Sequence, residues 1–215
     1  MTAPNAAATK NEAPIVIIGT GMSGYSLARE IRKIDKNIPL LLITADDGHS
    51  YSKPMLSTGF TKDKTAEQLS MADPGKMAEQ LSLEIRTYTA VTGIDAAQHI
   101  VRIGDEALSY SKLVIAWGAN IVQLDIPGSG TNKIFSINDL VDYRRFRDSL
   151  SDKKRILIMG AGLIGCEFAN DLKIGGYDVD VVAPFIVYKP VVKGMIERKS
   201  GKIINICSMM SELGR

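Results

Sequence analysis

The feature that most constrains this chain is a buried strand that runs into a glycine turn, and it occurs twice. Pro14-Ile15-Val16-Ile17-Ile18 is a continuous apolar run of the kind found in strands covered on both faces of a parallel sheet. It stops at Gly19-Thr20-Gly21-Met22-Ser23-Gly24. Leu27, Ile31 and Ile34 then recur at helical spacing, and Leu40-Leu41-Leu42-Ile43 is a second buried run. Strand, helix and strand in about thirty residues make a βαβ unit, with parallel strands and a right-handed crossover. Arg155–Met159, Gly160-Ala161-Gly162-Leu163-Ile164-Gly165, a helix through Phe168 and Leu172, and Val179–Val182 repeat the order.

Each glycine of such a turn has its own task. Gly19 and Gly160 make the tight turn, and Gly21 and Gly162 let a pyrophosphate approach the backbone. Gly24 and Gly165 let helix and strand pack closely, with the anion on the helix N-terminus. Asp46 ends the second strand, about twenty residues on, where a carboxylate can bind a ribose hydroxyl. A glycine string alone is often only a turn, but here strand, turn, helix, strand and acid occur in order and predict nucleotide binding. In the second unit Val182-Ala183-Pro184 occupies the acid's place and Asp180 lies earlier, so the choice between NAD and NADP stays open. Two such turns predict two nucleotides facing each other, an arrangement suited to hydride passage from a nicotinamide to a flavin.

Between the units, Ile85–Val91, His99–Ile103 and Ala107–Tyr110 are short alternating runs that predict an antiparallel meander. Leu113–Ala116 returns to the buried-strand pattern. Asp73-Pro74 predicts a helix start, with the carboxylate at the N-cap and the helix running through Met77 to Leu81. Tyr51–Phe60 reads as loop. Ile137–Leu150 reads as a helix with Arg144, Arg145 and Arg147 on a solvated face. The expected fold is therefore α/β: two Rossmann-like βαβ units with an antiparallel β-meander between them, the second unit truncated. The expected divisions are a tail over 1–13, an FAD-binding-type domain with the meander over 14–150, a partial βαβ unit over 151–183 and a helix-strand segment over 184–215.

Composition removes other classes. Hydrophobic residues at 45% and charged residues at 23% are globular values, against a disordered or fibrous chain. A net charge of +2 with no like-charge block argues against a nucleic-acid partner. No apolar run approaches the ~18 residues of a membrane span, and the opening residues lack the apolar centre of a signal peptide. Cys166 and Cys207 match neither a zinc pattern nor a disulfide framework, so no metal site and a reducing, cytoplasmic setting are expected. Oligomeric state is not legible.

Besides the glycine turns, the chain carries Tyr51-Ser52-Lys53-Pro54, Ala116-Trp117-Gly118-Ala119, and Cys166-Glu167 after the second turn. Over roughly Pro14 to Val182 these strings resemble the FAD-dependent pyridine-nucleotide oxidoreductases, and within them the rubredoxin-reducing branch. Trp117 stands where that family has threonine in an Ala-Thr-Gly turn beside FAD. The resemblance implies that Gly19, Gly21, Gly24 and Asp46 hold the adenosine diphosphate of FAD. It implies that Lys53 and Pro54 lie against the isoalloxazine, and that Gly118 lines the cleft. Gly160, Gly162 and Gly165 would face the pyrophosphate of NADH, with Glu167 close to the nicotinamide. Lys53 and Glu167 are thus the catalytic candidates, a solvated loop lysine being the alternative for Lys53. The implied partner is a small, rubredoxin-like electron-carrier protein. Disulfide reductases of this superfamily relay electrons through a dithiol beside the flavin. No cysteine precedes Cys166, so electrons are expected to leave the flavin singly. The two cysteines read most simply as small buried hydrophobes.

From about Ala183 the chain resembles instead an inner piece of a short-chain dehydrogenase acting on gluconate. Ala183-Pro184-Phe185-Ile186-Val187 and Gly201–Ser208 carry that likeness. Ser208 matches its substrate-orienting serine, but Val182 replaces an expected asparagine, and the tyrosine and lysine of proton transfer would lie beyond Arg215. That activity is not expected. The sequence reads as a join of two coding segments, and a nucleotide-binding remnant without turnover is the rival expectation to a working reductase.

Overall fold

The computed structural model describes residues 13–121, 129 and 133–182. The expectations for 1–12 and for the segment from Ala183, Cys207 and Ser208 included, lie outside the described residues. Ala13 is buried. The chain divides into two compact units, one of Met1–Lys53 with Ala66–Arg144 and one of Pro54–Thr65 with Arg145–Arg215.

The first unit is built on a parallel sheet. Strands β1 (Ile15–Ile18) and β2 (Leu40–Ile43) are buried at every position, as their unbroken aliphatic runs require. The order is β5-β2-β1-β9, with β5 (Glu84–Arg86) and β9 (Lys112–Ile115) at the edges and every pairing parallel. Alternate side chains serve opposite faces. Ile17 and Leu42 pack with Tyr25 and Ala28 of helix α1 (Met22–Ile34) and with Met77 and Leu81 of helix α3 (Pro74–Leu81). Val16, Ile18, Leu41 and Ile43 pack on the other side with Val101 and Tyr110. Helix α3 starts as its Asp-Pro pair predicts. The Asp73 carboxylate accepts from the Lys76 N–H at 2.9 Å, a cap contributing about 1 kcal/mol. At the far end of α3, the Arg32 guanidinium donates to the carbonyls of Leu81 and Ser82, satisfying groups the helix leaves open.

The meander exists, with its second and third strands where expected and its first replaced. Its strands are β6 (Gly93–Asp95), β7 (Ile100–Ile103) and β8 (Glu106–Ser109), paired antiparallel. The run Ile85–Val91 is not its first strand, because Glu84–Arg86 pairs parallel with β2 instead. Arg86 then bonds Glu106 of β8 at 2.9 and 3.0 Å. The stretch read as loop over Tyr51–Phe60 contains structure: β3 (Ser50–Tyr51) pairs with β4 (Ser70–Ala72), which follows the short helix α2 (Ala66–Leu69), and Lys53–Thr58 winds as a 3-10 helix.

In the second unit β10 (Arg155–Met159) and β11 (Asp178–Val182) pair parallel, joined by helix α5 (Leu163–Ile174). Phe60 lies edge-on to Phe146 and Tyr177, at 5.9 and 5.6 Å between ring centres. Asp171 is buried, and its two oxygens accept the backbone N–H groups of Phe60 at 3.0 Å and Thr61 at 2.7 Å. Helix α4 (Leu140–Ser149) carries the chain from one unit into the other. Arg145 is exposed as expected, while Arg144 and Arg147 are half-buried and paired. Arg144 bonds Glu67 at 2.7 Å, and Arg147 bonds Asp63 at 2.7 Å while lying 4.9 Å from the Phe60 ring centre.

Candidate functional site

Three parallel strands, β1, β2 and β9, end side by side in the first unit, and the first glycine turn lies at those ends. Gly19 has φ of +109°, and a Cβ there would come within 2.3 Å of the Ala116 carbonyl oxygen. Only glycine fits on both counts. A Cβ at Gly21 would meet nothing within 4 Å, so the middle of the turn is open backbone. Gly21 is the N-cap of α1, yet no side chain caps it and the first turn holds no acid. With glycine as its cap the helix forgoes only about a few tenths of a kcal/mol, and its first N–H groups are left to an external anion.

Asp46 joins this turn through Thr20, which no sequence pattern singles out. Its Oδ1 accepts from the Thr20 hydroxyl at 3.2 Å, the Thr44 hydroxyl at 2.6 Å and the Gly48 N–H at 3.0 Å. Thr20 lies inside the glycine turn and Thr44 directly follows β2. Beneath Asp46, the buried Asp47 places Oδ2 3.2 Å from His49 Nδ1 and 3.9 Å from Arg144 Nη1. The Tyr25 hydroxyl donates to the Gly48 carbonyl. Burial, then the charges of Asp139 and Asp46, raises the Tyr51 phenol, which stays neutral.

Lys53 and the Gly118 turn share one anchor. The Lys53 ammonium donates to Asn138 Oδ1 at 2.7 Å, and Asn138 Nδ2 donates to the Ala119 carbonyl at 3.2 Å. Gly118 has φ of +76° and open space where a Cβ would stand. Trp117 beside it is 62% exposed. Pro54 is exposed, and its carbonyl accepts from the Ser57 hydroxyl at 3.1 Å. Asn138, like Thr20 and Thr44, offered no signal in sequence: an amide or hydroxyl far along the chain becomes a partner only after folding.

The second unit repeats the turn. Gly160 has φ of +116°, a Cβ at Gly162 would meet nothing within 4 Å, and one at Gly165 would lie 1.9 Å from the Gly160 carbonyl oxygen. Gly162 caps α5 without a side-chain bond. Glu167, exposed on α5, accepts from the Ser57 hydroxyl at 2.9 Å. Asp180 is committed elsewhere, receiving Arg155 Nη2 at 2.8 Å and Nε at 3.0 Å. Cys166 is exposed, against the expectation of a buried hydrophobe.

No group of three or more His, Cys, Asp or Glu among the described residues could hold a metal ion. No helix among them is long and apolar enough to cross a membrane. A groove of about 550 Å³, lined by Pro14, Pro39, Leu40, Leu83 and Leu108, lies at the opening ends of β1 and β2, away from the turns.

An open glycine turn at an uncapped helix start, placed where parallel strands end and repeated in a second βαβ unit, defines a dinucleotide-binding α/β protein. Residues 13–198 match the pyridine nucleotide-disulphide oxidoreductase family, and the chain belongs to that family. It is 52% identical over 171 residues to a rubredoxin-NAD(+) reductase of Alcanivorax borkumensis, covering 80% of this chain and 45% of that protein. It is 47% identical over 175 residues to a rubredoxin-NAD(+) reductase of Acinetobacter baylyi, covering 79% and 44%. Among solved structures, a ferredoxin reductase from Rhodopseudomonas palustris superposes with a TM-score of 0.70 at 26% identity, covering 86% of this chain and 47% of that one. The chain thus spans less than half the length of the curated relatives it matches.

Proposed function

We propose that the chain serves a flavoprotein reductase reaction, in which a hydride passes from NADH to FAD and electrons then leave for a small, rubredoxin-like carrier protein. The observation that carries this reading is the pair of open glycine turns, each at a helix start with no side-chain cap. The relatives that are rubredoxin-NAD(+) reductases support the same reaction class.

The residues fit these two groups. Gly19, Gly21 and Gly24, with the first N–H groups of α1, would take the pyrophosphate of FAD, and Asp46 a ribose hydroxyl. Gly160, Gly162 and Gly165 would take the pyrophosphate of NADH. When bound, FAD supplies a ring that accepts two electrons as hydride and gives them up singly. No side chain is then required as nucleophile or general base. Lys53, held by Asn138, would offer a positive charge to the flavin, Pro54 would lie against the ring, and Gly118 would leave the cleft open. Glu167, fixed by Ser57, would orient the nicotinamide end. A reducing, cytoplasmic setting belongs to this reading, because Cys166 is free and exposed.

The test is direct. Protein loaded with FAD is mixed with NADH in the absence of oxygen, and loss of the yellow colour is followed. Bleaching, then reduction of added rubredoxin, supports the proposal. FAD uptake without bleaching leaves a nucleotide-binding protein without turnover. Uptake of neither FAD nor NADH removes both readings.

A further inference from the structure

We infer that Thr20 and Thr44 are positioning residues that make Asp46 a one-sided acceptor for an adenosine ribose with both hydroxyls free. This inference rests on the FAD reading above. An ionised carboxylate offers about four acceptor sites across its two oxygens. Three donors converge on one of them: Oδ1 takes the Thr44 hydroxyl at 2.6 Å, the Gly48 N–H at 3.0 Å and the Thr20 hydroxyl at 3.2 Å. Oδ2 takes no hydrogen bond from any described residue. One oxygen is therefore saturated and the accepting capacity is concentrated on the other.

The donors are themselves fixed. Thr20 and Thr44 are 2% and 5% exposed, so their hydroxyls have little water to turn to. The backbone of Thr44 is pinned on both sides, its N–H donating to the Arg86 carbonyl at 2.9 Å and its carbonyl accepting from the Thr89 N–H at 2.8 Å. Gly48 is held through its carbonyl by the Tyr25 hydroxyl. The Gly19 N–H donates to the Ile43 carbonyl at 2.7 Å, joining the start of the turn to the end of β2. A carboxylate gripped at one oxygen by rigid donors cannot swing, and the neighbouring hydroxyls of a ribose are the donors its other oxygen would take. A sugar lacking them leaves that oxygen without a partner, which costs binding.

The experiment compares FAD with an FAD analogue whose adenosine ribose lacks the 2′ and 3′ hydroxyls, each titrated by flavin fluorescence into the full chain. The natural protein should bind FAD about tenfold more tightly than the analogue, the worth of one hydrogen bond to a charged group. Thr44→Val and Thr20→Val keep side-chain shape and remove the donor. Each should weaken FAD severalfold, leave analogue binding unchanged and so shrink the preference, and Thr44→Ser should restore it. Equal loss for both ligands would mean a merely structural role and overturns the inference. A preference that survives both valine variants also overturns it while leaving the FAD reading standing. If the natural protein takes up no FAD, the reading itself fails and the inference goes with it. Should Thr44→Val not fold, Thr20→Val decides alone, since its hydroxyl donates independently.

Discussion

A Cβ at Gly24 would stand 2.0 Å from the carbonyl oxygen of Gly19, and one at Gly165 would stand 1.9 Å from that of Gly160. These contacts are backbone against backbone, with no flexible side chain to yield. Gly24→Ala and Gly165→Ala should each destabilise the protein by roughly 2–3 kcal/mol through overpacking. Gly21→Ala is the contrast, because its Cβ would enter open space at an ordinary φ of −66°. It should leave the urea midpoint almost unchanged while weakening FAD binding. A Gly21→Ala protein that unfolds early yet binds FAD normally would reverse the assignment of roles.

Asn138 should matter to Lys53 more than to the fold. It accepts from the lysine at 2.7 Å and donates to the Ala119 carbonyl at 3.2 Å, both at exposed positions. In FAD-loaded protein, Asn138→Leu is expected to slow anaerobic bleaching by NADH roughly tenfold, the size of one charge-assisted hydrogen bond. FAD content should not change. Stopped-flow absorbance measures both, and a variant as fast as the natural protein would show the anchor to be idle.

Asp139 gives a pH signature. Burial, foremost, together with the charges of Asp142 and Asp46, raises its carboxyl above the ordinary aspartate range, opposed by the hydrogen bond from the Asp142 N–H. A carboxyl that holds its proton more tightly when folded than when unfolded lowers stability as pH rises from the unfolded value through the folded one, and the loss persists above it. Asp139→Asn keeps an acceptor for the Asp142 N–H and removes the charge. It should be more stable than the natural protein at neutral pH, by under about 1 kcal/mol given solvent screening. The advantage should fade in acid, as pH falls to the unfolded value and below it. Urea titrations at both ends of that range check the sign, and a variant weaker at neutral pH contradicts it.

Asp171 should be a stability residue of the second unit. Its carboxylate is 1% exposed and receives the N–H groups of Phe60 and Thr61. Asp171→Ala removes the carboxylate that accepts from the Phe60 and Thr61 N–H groups, at a cost of about 2 kcal/mol. Amide exchange at Phe60 should accelerate with it, and unchanged protection there would show that another acceptor steps in.

Sequence legibility followed how local the physics was. Strands β1 and β2 are plain because an unbroken aliphatic run has nowhere to go but a sheet interior, and α3 because Asp-Pro carries its own cap. Strand β5 was misassigned for the converse reason. Its half-buried Glu84-Ile85-Arg86 alternation suits a meander or a parallel edge equally, and only the partner strand decides. Gly19, Gly24, Gly160 and Gly165 were legible because each answers a backbone demand, and Gly21 and Gly162 from their place in the turn, where a Cβ would meet nothing. Thr20, Thr44 and Asn138 were not, because their importance lies in neighbours brought together by folding.

The near contact of Gly19 with Ala116 carries a consequence for how this chain can change over time. Two positions almost a hundred residues apart share a gap too narrow for one extra carbon atom. Because the crowding atoms are backbone and Gly19 also holds a positive φ, no change of side chain at 116 makes room, so position 19 is expected to stay glycine across descendants of this chain while position 116 varies freely.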